Sequence, residues 1–65
     1  MSVLMNATVW SEDGEEKHKI ECDTGFGHIN LTQGDQDISI VDEEHARSLL
    51  LAIGAMAHTM GWNVK

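Results

Sequence analysis

The stretch ARSLLLAIGAMAHTMGW, residues 46–62, is the most apolar and most regular in the chain. It constrains the fold more than any other segment, because a helix this apolar must cover at least one side with something. Its start is written just upstream. Asp42 is a good N-cap, Glu43 and Glu44 stand where the helix dipole favours negative charge, and Val41 is placed to reach Ala46 as a hydrophobic staple. Its end is written too. Gly61 suits a left-handed cap that turns Trp62 back toward Ala57, and His58 complements the negative end of the last turn. These signals predict one helix over about residues 42–60.

On a helical wheel, Ala46, Leu49, Leu50, Ile53, Met56, Ala57 and Met60 fall within a stripe about 120° wide, the expected core face. Leu51 points nearly opposite, flanked by Ala52 and Ala55. Small alanines beside a leucine let a second helix approach closely, so Leu51, Ala52 and Ala55 form the expected dimer interface.

The first forty residues must supply the layer on which the stripe rests. Asp13-Gly14, Thr24-Gly25-Phe26-Gly27 and Thr32-Gln33-Gly34-Asp35 punctuate them at strand-like intervals, and Asp-Gly is a strong hairpin signal. Strands are predicted over about residues 3–10, 16–22, 27–31 and 36–40. In the first, Val3, Met5, Ala7 and Val9 make the better apolar face; the second puts His18, Ile20 and Cys22 on one side, the third Ile29 and Leu31, the fourth Ile38 and Ile40. Short connections between consecutive strands require an antiparallel meander. The expected fold is therefore α+β: one domain over residues 1–65, with a three- to four-stranded antiparallel β-meander followed by one C-terminal α-helix packed on one face.

A chain of 65 residues buries only about 60% of its unfolded surface and builds a thin core. Cys22 is the single cysteine, so no internal disulfide can brace it. A metal or a second subunit remains as the brace. Eleven acidic residues against four basic ones give a net charge of −7, which opposes direct binding of nucleic acid or of an anionic membrane. The N-terminus lacks the basic start and apolar block of a secretory signal, and the longest apolar run, Leu49 to Ala57, is about half of a membrane span. The expected setting is the reducing cytoplasm.

Four histidines and one cysteine raise the question of zinc. His18 and Cys22 share a strand face on this assignment, but His28 faces away, His45 and His58 lie on the helix, and no Cys-x2-Cys or His-x3-His pair is present. Scattered polar histidines and one buried thiol account for them more simply. Cys22 with His18 as base is the nearest thing to a nucleophile pair, yet so short a chain has little left to build a pocket. The glycines of TGFGHIN precede a strand rather than a helix, which is wrong for a phosphate cradle, and the acids of GDQDISIVDEE lack the order of a calcium loop. No catalytic residue, metal ligand or cofactor is assigned.

The first and third turns of a meander share one end, which gathers Glu12, Asp13, Glu15 and Glu16 with Asp35 and Asp37. Turns are where polar residues ordinarily sit. Such an end also complements a basic groove. Trp10 closes the first strand on the face away from the expected core and is the aromatic best placed as an interface anchor. These features lead to the expectation of a non-catalytic protein-binding module, a homodimer, acting as an accessory or regulatory protein on a larger partner with a basic surface, for example a nucleic-acid-handling enzyme. The alternatives are a zinc-stabilised domain using His18, Cys22 and a helix histidine, or a structural assembly component.

Overall fold

The computed structural model describes residues 5–64. Val3 and Leu4 of the expected first strand lie outside them. Four strands, β1 (Asn6–Val9), β2 (Ile20–Gly25), β3 (His28–Gln33) and β4 (Gln36–Ile40), form one antiparallel sheet in the order β1-β2-β3-β4, and helix α1 (Glu43–Thr59) follows. The class and element order are those expected from the sequence.

The turns explain the register. Between β2 and β3, Phe26 and Gly27 both take positive φ (55° and 81°), the requirement of a two-residue type I′ turn whose twist matches the flanking strands. Gly34 alone is positive in the next turn (φ 61°), as a type II′ turn demands. Asp13-Gly14 behaves differently from expectation. It closes a local turn, with the Gly14 N–H donating to the Ser11 carbonyl at 3.0 Å, inside a long connection over residues 10–19 rather than a tight hairpin.

Residues 16–18 accordingly form a short 3-10 helix and not the start of the second strand. The cause is Asp13: its carboxylate accepts from the Ser11 hydroxyl and from the Glu15 N–H, and lies 3.0 Å from His18 Nδ1. That local knot competes with extended backbone, so pairing begins only at Ile20, opposite Val9. His18 therefore leaves the sheet.

Residues paired across the ladder share a face. Ala7 with Cys22, Val9 with Ile20, Thr24 with Ile29, Leu31 with Ile38 and Ile29 with Ile40 make one side almost wholly apolar. The other side carries Asn6, Thr8, Glu21, Asp23, Asn30, Thr32, Asp37 and Ser39. These polar groups bond across strands: Asn30 Nδ2 donates to Asp23 at 3.0 Å, Thr32 Oγ1 to Asp37 at 3.1 Å, and Ser39 Oγ to Asn30 at 3.4 Å.

Helix α1 is bounded as its sequence requires. The Asp42 carboxylate accepts from the His45 N–H at 2.8 Å, and the His45 ring in turn accepts from the Val41 N–H through Nδ1 at 3.2 Å. Arg47 reaches back to Glu43 and Glu44 at 2.6 and 2.7 Å. At the far end Gly61 (φ 77°) donates to the His58 carbonyl and Trp62 to that of Ala57, the two bonds of a Schellman motif.

One expectation fails in degree. The helical stripe is not buried by this chain's own sheet: Leu50 is 71% exposed, Ile53 49%, Met56 65% and Met60 62%, and only Ala46, Leu49 and Ala57 are sheltered. Close packing between elements is concentrated between neighbouring strands. Among the described residues, the buried apolar ones are Ile40 and Ala57, at 7% and 4% exposure, and neither is fully enclosed. The Cα radius of gyration is 13.2 Å, against about 11 Å for a compact domain of this length.

Candidate association surfaces

Two apolar surfaces stand open on the same chain. The first is the apolar side of the sheet, where Val9 (51% exposed) and Ile38 (57%) are wetted and Ile20, Cys22, Ile29 and Leu31 are half-covered. The second is the helical stripe, which runs into a groove of about 690 Å³ lined by Ile53, Met56, Ala57, Thr59, Met60, Trp62 and Val64. The Schellman reversal builds that groove by returning the chain beside Ala57. Total accessible surface is 5790 Å². A compact monomer of this mass exposes about 4,100 Å², so the chain carries about 1,700 Å² in excess.

A third surface is polar. Gln33 Nε2 donates to the His18 carbonyl at 3.1 Å, tying the 10–19 connection to the end of the sheet that holds the β3–β4 turn. Glu12, Asp13, Glu15, Glu16 and Asp35 thus gather at one end. Asp37 does not join the tip; it sits within β4 on the polar face, opposite Thr32. Several of these acids are matched locally: Lys17 with Glu15 at 3.3 Å, Lys19 with Glu16 at 3.4 Å, and His18 with Asp13. Hydrogen bonds from Ser11 and from the Glu15 backbone, with the His18 ring nearby, hold the Asp13 carboxyl below the ordinary aspartate range. Trp10 is half-exposed at the edge of this end, with Lys19 Nζ 5.5 Å from its ring centroid.

His18, Cys22 and a helix histidine are not brought together. Among the described residues, the one group of three with metal-ligand spacing is Asp13, Glu15 and His18, fully on the surface and already engaged in hydrogen bonds and ion pairs. Cys22 lies on the apolar face opposite Leu31. Of the expected dimer residues, Leu51 is 70% exposed, Ala55 is exposed and Ala52 is half-covered.

Phe26 is the residue that sequence reasoning passed over. It occupies a left-handed position at the tip of the β2–β3 hairpin and is fully exposed. The signal was present, since a large residue between glycines in a two-residue turn has nowhere to point but outward. No helix among the described residues is long and apolar enough to cross a membrane. No family model matches the chain, and no curated protein or solved structure does so.

Proposed function

We propose that this chain is a non-catalytic association module that works as a homodimer and engages a larger partner with a basic surface. The observation that carries the dimer is the open apolar area: a sheet face and a helical stripe, both wetted, on one short chain. Every 100 Å² or so of that excess that is apolar forgoes about 2.5 kcal/mol of hydrophobic stabilisation, against a net stability of about 3–5 kcal/mol for a chain this small. Association recovers part of it. Sedimentation across a wide range of chain concentration is expected to return twice the chain mass of 7.2 kDa. A folded monomer at every concentration overturns the proposal.

The larger partner is proposed from charge. With a net charge of −7 and Glu12 and Asp35 at the same end as a half-exposed Trp10, the loop end offers negative potential beside an aromatic anchor. Capture of the native partner is expected to weaken from low to high salt and with Trp10→Ala. Capture indifferent to both refutes this face as the docking surface.

A further inference from the structure

Building on the homodimer reading, we infer that the two copies associate by exchanging helices, so that α1 of each lies across the apolar sheet face of the other. The two halves of an ordinary helix-on-sheet core are both present in one chain. Each is open. Val9 and Ile38 are wetted on the sheet, and Leu50, Ile53, Met56 and Met60 on the helix. The surfaces also match in size: 17 residues of α1 make a rod about 25 Å long, and the outer strands of the four-stranded sheet lie about 14 Å apart, so one helix crosses the whole sheet.

The junction between β4 and α1 is built as an arm. Only Val41 and Asp42 separate the elements, Asp42 is fully extended (φ −156°, ψ 177°), and the reciprocal bonds among Val41, Asp42 and His45 fix the direction in which the helix leaves. A helix so launched keeps its stripe free for another body. The area supports a second copy as that body, since covering the excess on both chains removes about 3,400 Å² in total, within the range of obligate homodimers.

Electrostatics does not oppose it, despite the net charge of −7 on each chain. Ala46, Leu49, Leu50, Ile53, Met56, Ala57 and Met60 carry no charge, and neither do the residues of the apolar sheet face. Glu21, Asp23 and Asp37 project from the other side of the sheet, and the remaining strand-proximal acids lie in the connection over residues 10–19 and in the β3–β4 turn. Like-charge repulsion is thereby kept out of the contact.

Cys22, on the sheet face, serves as a probe. Wild-type chain is refolded together with a Cys22→Ser chain that carries L50C, I53C or M56C, and the mixture is oxidised. A mixed disulfide can then form only between two molecules. Exchange predicts it as the main product for at least one of the three positions and its loss with L51C, and predicts that Ile38→Lys raises the dimer dissociation constant about 100-fold or more. A sedimenting dimer that gives no mixed disulfide at these positions, or that ignores Ile38→Lys, overturns the exchange while leaving the homodimer standing. A monomer overturns both.

Discussion

Leu50 and Leu51 are neighbours in sequence, nearly equally wetted in the single chain at 71% and 70% exposure, and on different faces of α1. Replacing each with alanine separates a helix that is complete in one chain from one whose stripe is covered by another. In an isolated chain both substitutions remove a side chain that is already mostly in water, and alanine is the better helix former, so each changes stability by no more than about 0.5 kcal/mol. Once the stripe is seated on a partner sheet, Leu50→Ala deletes buried methyl groups and leaves a cavity, at a cost of about 2–5 kcal/mol per chain. Leu51, on the outer side, stays at about 0.5 kcal/mol or below. Urea unfolding followed by circular dichroism at fixed chain concentration, fitted to a dimer-to-unfolded scheme, reads the difference directly. Equal effects within about 0.5 kcal/mol refute the covered stripe. A larger loss at Leu51 moves the interface to the face that carries Ala52 and Ala55.

The remaining predictions concern local structure. Phe26→Asn is expected to stabilise the chain by about 1 kcal/mol, because asparagine tolerates the left-handed backbone that phenylalanine holds at a penalty; a lower unfolding midpoint counts against the type I′ turn. Asp42→Ala removes the acceptor for the His45 N–H and is expected to cost about 1 kcal/mol, with Asp42→Asn costing less; unchanged denaturation in both variants refutes the cap. The Asp13 carboxyl is expected to titrate below the ordinary value, held down first by Ser11 and then by the Glu15 N–H and His18. Since its folded pKa is depressed, the stabilisation it supplies is present above the unfolded value of about 3.9 and is lost as pH falls through the folded one. A carbon-13 titration of that carboxyl checks it, and an ordinary value sinks the assignment.

The helix was readable almost to the residue, because its limits rest on local chemistry: an aspartate cap at one end and a glycine in left-handed conformation at the other. The β2–β3 and β3–β4 turns were readable for the same reason. Strand alternation also assigned Ile29, Leu31, Ile38 and Ile40 to one face correctly. What escaped was non-local or competitive. Lys17, His18 and Lys19 alternate like a strand, but the bonds converging on the Asp13 side chain draw residues 16–18 into a 3-10 turn. The wheel of residues 42–60 identified which side of the helix is apolar, yet periodicity cannot say which molecule covers that side. For the same reason the acidic end was foreseeable from turn order alone, whereas the position of Asp37 within the polar ladder depended on the register with Thr32.

The cross-strand bonds of Asp23, Asn30, Thr32, Asp37 and Ser39 bear on stoichiometry. A sheet lined on one side by groups already satisfied among themselves and hydrated at their outer edges offers nothing greasy for a third molecule to stack upon. In the proposed pair the opposite side of each sheet is covered, so the polar side is the one left outward and sheet-on-sheet stacking beyond two copies is disfavoured. A variant that strips those hydrophilic side chains would be expected to keep adding layers, turning a closed pair into an open-ended stack.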